Sequence, residues 1–532
     1  MPHSRSRRGL LVALVAPVLA LQSLPAQAPA RDLLVLLRGT DTIAVERFVR
    51  TASRLDGEML LKAANARFTF SVDVAADGGA VRLENAFRQA TADVTSSPMQ
   101  SAVVRFTGDS AIVDLTGGAG TMTQRFGTRP GAVPFLNPSF SLVELILQRA
   151  RRIGGDSVQV PVWSLQGGAT FPVPVRWKGR DSVLITIGNV DTRLAVNARG
   201  DITGGIVPSQ GLRLLRVRGG DASAMSAEPP DYSVSPLAPY TAEEVSIPTP
   251  GGHTLAGTLT MPKEARGRVP AIITITGSGP EDRDEALPGV KDYRPFRQVA
   301  DTLGRIGIAV LRMDDRGFGV STGNHATATS ADFADDIRAG LAYLRARNDI
   351  DATRLGLVGH SEGGLVAPMV AADTPDLRGI VLMAGPSRTG RSILEYQLRF
   401  GIEAATQFTA TQKDSALRAI QGTIATMASA QPWMAFFIDY DPLITARRVQ
   451  VPTLILQGET DRQVTADQAE ELARAIREGG NRYVSLRVFP LTNHLFLDDA
   501  DGAPTGYATL PSRDVRRDVL CAIADFFRVR MQ

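Results

Sequence analysis

One cysteine, Cys521, stands in 532 residues. No intramolecular disulfide can form, so a chain of this size must be held by burial of its own core. Long apolar runs are scarce as well: Gly9 to Leu21 is too short to cross a bilayer comfortably, and no later stretch reaches the roughly 18 uncharged apolar residues of a membrane helix. An excess of one charge is lacking outside the extreme N-terminus. Residues 1–28 hold three of the 58 basic residues and none of the 55 acidic ones, so the remainder balances at 55 against 55. That balance leaves no basic patch to suggest nucleic acid or an anionic surface as partner. Histidines number five, which shortens any search for a general base.

What is present is ordinary for a globular chain, with 44% hydrophobic and 21% charged residues. The length exceeds that at which single cores stop growing, so two or three domains are expected. Arg5, Arg7 and Arg8 precede the apolar run, and Ala26-Gln27-Ala28 supplies a small-residue cleavage site. Residues 1–28 therefore read as a secretory signal peptide, and Ser6-Arg7-Arg8-Gly9-Leu10-Leu11 has a weak twin-arginine character. The mature chain is expected to be exported, periplasmic or extracellular, with no membrane span after cleavage.

Residues 31–222 alternate with period two in short segments such as Phe68 to Val72, Ser101 to Phe106, Ser182 to Thr186 and Arg193 to Asn197. Turn signals at Asp77-Gly78-Gly79 and Arg199-Gly200-Asp201 complete the pattern of an antiparallel β domain, with a helix near Ser141 to Arg152. No motif that carries chemistry falls in it, so an accessory domain is expected. Residues 223–240, with Pro229-Pro230, Pro236 and Pro239, read as a linker. Residues 241–532 then change rhythm. A hairpin turning at Pro250-Gly251-Gly252 leads into fully apolar strands alternating with helices, which predicts a mainly parallel sheet covered on both faces. A long helical stretch at about 391–448 interrupts this domain as a cap-like insertion. Cys521 falls in the closing helix pattern, Asp514 to Phe527, and reads there as buried packing.

The most informative stretch is Leu355 to Gly364, an apolar run ending in Gly359-His360-Ser361-Glu362-Gly363 before a helical segment. Gly-x-Ser-x-Gly between strand and helix is the setting of a nucleophile elbow, where a strained turn projects the serine above the sheet. A serine hydroxyl is a weak nucleophile until a histidine takes its proton, and that histidine needs a carboxylate to orient it. His494 lies after a strand and before the last helix, where such a base belongs. Asp461, after the strand Thr453 to Leu456, lies between serine and histidine in the chain order this arrangement requires; Glu459 and Asp441 are its competitors. The N–H groups of Glu362 and of Ser278, the latter in the loop Thr276-Gly277-Ser278-Gly279-Pro280, are expected to face the oxyanion. No Lys-Ser/Thr pair follows Gly277-Ser278-Gly279, so a phosphate cradle is disfavoured and no cofactor is expected. Asp314-Asp315-Arg316 and Asp282-Arg283-Asp284 read as braced turns rather than metal ligands.

Gly277 to Asp284, Asp314-Asp315-Arg316-Gly317 with Ser321-Thr322-Gly323, Gly359 to Gly364, and the late Asp461 and His494 together resemble the exported bacterial α/β-hydrolases of the EstD carboxylesterase type. The resemblance covers about 240–532. It implies an α/β-hydrolase fold behind a β-rich N-terminal domain, and hydrolysis of short-chain carboxylic esters through an acyl-enzyme without metal. Thr276 departs from broader α/β-hydrolases, in which a histidine often precedes the oxyanion glycine. The same triad would serve an exported serine peptidase or a thioesterase, and a non-catalytic binding protein is the reading from another class. The expected partner is a small-molecule ester; nothing in the sequence specifies an oligomeric state.

Overall fold

A computed structural model describes residues 32–532 apart from 40, 63–64, 118–119, 189, 220–221, 228, 266, 288–289, 406–408 and 429–431. The expected signal peptide, residues 1–28, lies outside the described residues. Two sheets organise the rest.

The N-terminal sheet has 15 strands, from Asp32–Arg38 to Leu212–Val217. Consecutive strands are neighbours in space, as short turns between alternating strands dictate, except Gly120–Gly127 and Val133–Phe135, which form the two edges. The last strand returns to the first, pairing Val217 with Leu33 antiparallel. Every pairing is antiparallel except that of Val133–Phe135 with Ser157–Ser164, where a helix, Phe140–Ile153, makes the connection. Parallel neighbours need such a crossover. Leu142, Ile146, Leu147 and Ala150 of this helix are fully buried against the sheet's apolar face.

The second sheet has eight strands, numbered here β1 (Tyr240–Pro248), β2 (Thr254–Pro262), β3 (Val269–Ile275), β4 (Ala309–Met313), β5 (Ile350–His360), β6 (Gly379–Met383), β7 (Thr453–Gly458) and β8 (Val484–Phe489). Their spatial order is β1-β2-β4-β3-β5-β6-β7-β8. The β1–β2 and β2–β4 pairs are antiparallel, and all later pairs are parallel. Strands β3, β4, β6 and β7 are buried along their whole length, because helices cover both faces. One layer brings Ile337, Leu341 and Leu344 of the helix Ser330–Ala346; the other brings Phe296, Val299 and Leu303 of Pro295–Gly304 with Ile523 and Phe527 of Arg517–Arg530. Burying an aliphatic side chain in such a layer contributes about 1.5–3 kcal/mol. Between β6 and β7 the chain forms four helices, Gly390–Ala404, Ala410–Ala428, Pro432–Asp439 and Pro442–Ala446.

Cys521 corrects one expectation. It lies in the closing helix but is exposed, because the buried stripe of that helix runs through Val519, Ala522, Ile523 and Phe527, and position 521 falls on the opposite side. No helix among the described residues is long and apolar enough to cross a membrane.

Candidate active site

Ser361 leaves β5 with φ +52°, a left-handed conformation that a residue with a Cβ adopts at a cost of about 1–3 kcal/mol. Its N–H donates to the carbonyl of Met383 at 2.8 Å, which ties the turn to the end of β6. The flanking glycines are demanded by crowding. A Cβ on Gly359 would stand 2.0 Å from the Gly363 carbonyl oxygen, and one on Gly363 would stand 2.1 Å from that of Ile275. The helix Gly363–Ala371 follows at once, with Glu362 as its N-cap. Among the described residues the Glu362 N–H has no acceptor, so it stands free at the positive end of that helix.

The two other members of the expected triad meet directly. His494 Nδ1 is 2.8 Å from Asp461 Oδ2, and both side chains are buried. Asp461 is held by further donors: Gln457 Nε2 to Oδ2 at 3.0 Å, and the N–H groups of Gln463 and Val464 to Oδ1 at 2.7 and 2.9 Å. A carboxylate so anchored sets both the ring orientation and the tautomer of its histidine, leaving Nε2 to face elsewhere. The competitors are engaged otherwise, since Glu459 accepts from the Leu491 N–H and Asp441 caps the helix Pro442–Ala446. Asn493 stiffens the base loop by accepting from the N–H groups of Leu495 and Leu497. Between Ser361 Oγ and His494 no hydrogen bond is present among the described residues; such contacts often tighten only when substrate binds.

The glycine loop after β3 meets the elbow from the other side, where a Cβ on Gly277 would lie 3.5 Å from that of Ser361. The Gly277 N–H is turned inward to Glu281 Oε2 at 2.9 Å and Glu285 Oε1 at 3.0 Å. The Ser278 N–H has no such partner among the described residues. The braced turns are also present: Arg283 pairs with Asp314, Arg312 with Asp284, and Arg316 with Asp336.

Three residues have roles that escaped the sequence reading. Glu285 accepts from His360 Nδ1 at 2.6 Å, and His360 Nε2 donates to the carbonyl of His494 at 2.9 Å. The rings of His360 and His494 lie 4.9 Å apart, so a buried His–carboxylate pair braces the base from behind and ties it to the glycine loop. Burial depresses the His360 imidazole, but Glu285 overcomes this and holds it above its ordinary value. Burial, with Glu285 and Asp315 as neighbours, pushes the Glu281 carboxyl far up. Glu285 sits at φ +58°, and strained backbone at a buried polar residue is the signal its sequence context could not carry. The third surprise is Trp433 of the insertion, whose Nε1 donates to Glu362 Oε1 at 2.7 Å beside the Ser330 hydroxyl at 2.5 Å. Burial raises the Glu362 carboxyl.

A serine at a strained strand-to-helix turn, a buried His–Asp pair at the ends of later parallel strands and a glycine loop opposite it are parts that acyl transfer would use. Comparisons with known proteins agree with a hydrolase of the α/β-hydrolase type acting on ester or peptide bonds. The family model described as serine aminopeptidase, S33, matches residues 289–448, which include Ser361. The chain is 27% identical over 308 residues to esterase EstD of Thermotoga maritima, covering 57% of this chain and 71% of the relative. It is 27% identical over 260 residues to the uncharacterized peptidase YuxL of Bacillus subtilis, covering 47% of this chain and 35% of the relative. Among solved structures it is similar to the Pyrococcus furiosus esterase Pf2001, at 17% identity and a TM-score of 0.38, covering 57% of this chain and 100% of that one.

Proposed function

We propose that the chain is a serine-dependent carboxylic ester hydrolase acting on short-chain acyl esters. In this reading Ser361 attacks the acyl carbon, His494 takes its proton and returns it to the departing alcohol, and Asp461 orients the imidazole. The N–H groups of Ser278 and Glu362 stabilise the oxyanion, and a water activated by His494 then releases the acid. The observation that carries it is the anchored His494–Asp461 pair beside a serine held at positive φ. Residues 241–532 act as the catalytic domain, 31–222 as an accessory domain joined through 223–240, and about 391–448 as a cap. The N-terminal charge and apolar pattern support export.

Ser361→Ala is expected to lower kcat/KM on p-nitrophenyl butyrate by at least about 10³-fold with an unchanged melting temperature. Activity that survives the change refutes the nucleophile. A peptidase is the second reading, favoured by the description of the matched family and by YuxL. Rates on peptide anilides against simple esters decide between them, and a thioester substrate tests the remaining alternative.

A further inference from the structure

Glu362 stands at the N-cap of its own helix, but its side chain makes no capping bond there. The carboxyl is buried and turns away, accepting at Oε1 from the Ser330 hydroxyl at 2.5 Å and from Trp433 Nε1 at 2.7 Å. Ser330 opens the helix Ser330–Ala346, and Trp433 is the second residue of Pro432–Asp439. The starts of three helices therefore meet at one carboxyl, where their positive ends favour an acceptor. The Ser278 side chain bears on the same carboxyl from the glycine loop. Oε2 has no hydrogen-bond partner among the described residues, so the group is already short of donors.

Trp433 belongs to the insertion, which holds a small core of its own around Ile420, Ile424 and Ile438. Its indole stacks on Phe437 of the same helix, with ring centroids 5.2 Å apart and planes 7° from parallel, and its single polar atom meets Glu362. Among the described residues this is the only hydrogen bond from 391–448 to the elbow, 359–364. A stacked ring packs without an N–H, whereas a buried carboxyl is costly to leave short of a donor. The hydrogen bond is thus separable from the packing. Its loss leaves the carboxyl to Ser330 and Ser278, and Ser278 carries the second proposed oxyanion N–H on an exposed loop. A small displacement of either N–H is expensive, because only donors already aimed at the developing charge stabilise it.

We infer that Trp433 is a positioning residue: by way of the Glu362 carboxyl, the insertion fixes the two oxyanion donors, the N–H groups of Glu362 and Ser278. The inference rests on the ester-hydrolase reading above. It gives the insertion a part in the rate of acyl transfer, distinct from any part in admitting substrate.

The test pairs p-nitrophenyl acetate with an inhibitor, butyl trifluoromethyl ketone. Ser361 Oγ adds to the ketone carbon, its proton passes to His494, and the former carbonyl oxygen takes the negative charge in the oxyanion site, so the ketone reads that site without turnover. Trp433→Phe keeps a ring to stack on Phe437 and removes the donor. It is expected to lower kcat on the acetate by about tenfold with KM within about twofold, and to raise the ketone inhibition constant by about the same factor. In a Glu362→Ala background, which keeps the N–H and removes the carboxyl, Trp433→Phe is expected to change either constant by less than about twofold. An equal loss in that background, a raised KM at unchanged kcat, or a lowered melting temperature with kcat per folded molecule unchanged each overturns the positioning role while the hydrolase stands. A parent chain that cleaves no ester, or activity that survives Ser361→Ala, removes the underlying reading and this role with it.

Discussion

The two sheets bury carboxylates in different ways. In the N-terminal sheet Glu46 accepts from the Ser139 hydroxyl and the N–H groups of Phe140 and Ser141, capping the helix Phe140–Ile153 from a distant strand. Glu58 pairs with Arg47 and Arg67, and Glu144 with Arg50 and Arg216. None of these carboxylates has an oxygen left over. In the α/β half Asp284, Glu285 and Glu362 each keep one buried oxygen without a hydrogen-bond partner among the described residues, although Arg294 stands 3.7 Å from that of Asp284. Backbone strain divides in the same way. Apart from Asn65, the non-glycine residues at positive φ, including Glu285, Ser361, Leu491 and Phe496, all lie in the α/β half. Unsatisfied polar atoms and strained backbone are costly and persist where a site over-determines them. The N-terminal half pairs its buried carboxylates fully, whereas the α/β half combines braced pairs such as Arg283–Asp314 with carboxylates that keep an oxygen free of hydrogen bonds around the proposed site.

Substitutions can break this contrast. The largest effect is expected at Asp461. Asp461→Asn keeps the shape but presents the wrong tautomer to His494, and should lower kcat by about 10³–10⁴-fold at unchanged melting temperature. A matching loss of stability would make Asp461 a scaffold residue like Glu46. Next comes the brace behind the base. His360→Phe removes both its hydrogen bonds and should lower kcat by about 10–100-fold with KM little changed, since small misplacements of a catalytic group are expensive.

The same brace has a pH signature. Because Glu285 raises the folded-state His360 value, the pair's stabilisation is complete below about pH 6.5 and is lost as pH rises through the raised value. Asp461 also favours the imidazolium, while burial opposes it. Melting temperatures from pH 6 to 9 should therefore fall more steeply for the parent chain than for Glu285→Gln. Parallel curves would remove the ion pair from the account.

Glu46→Gln is expected to show the opposite behaviour to Asp461→Asn. The N-terminal helix loses acceptors that no other group replaces, costing about 1–3 kcal/mol in denaturant unfolding, while kcat per folded molecule stays unchanged. The smallest effect belongs to Arg54→Ala. Arg54 pairs with Asp56 and Asp73 at the surface, its side chain 46% exposed, so the expected loss is under about 1 kcal/mol and vanishes at high salt.

Much of the α/β half was legible because its signals are local. Continuous apolar strands announce burial on both faces, and Gly359-His360-Ser361-Glu362-Gly363 specifies a turn that few other residues could make. His494 and Asp461 followed from chain order, and the structure places them in contact. What stayed hidden depends on which loops the sheet brings together. Glu285 meets His360 across 75 residues because β3 and β5 are neighbours, a pairing no local pattern encodes. Trp433 reaches Glu362 only through the packing of the insertion. Cys521 was misread because apolar content outweighed its angular position on the helix.

The most direct test treats the folded chain with a fluorophosphonate probe and locates the adduct by peptide mass spectrometry. The account predicts one adduct, on Ser361, absent in Ser361→Ala and formed far more slowly in Asp461→Asn. Labelling that persists in Ser361→Ala, or a folded parent chain that takes no label, contradicts it.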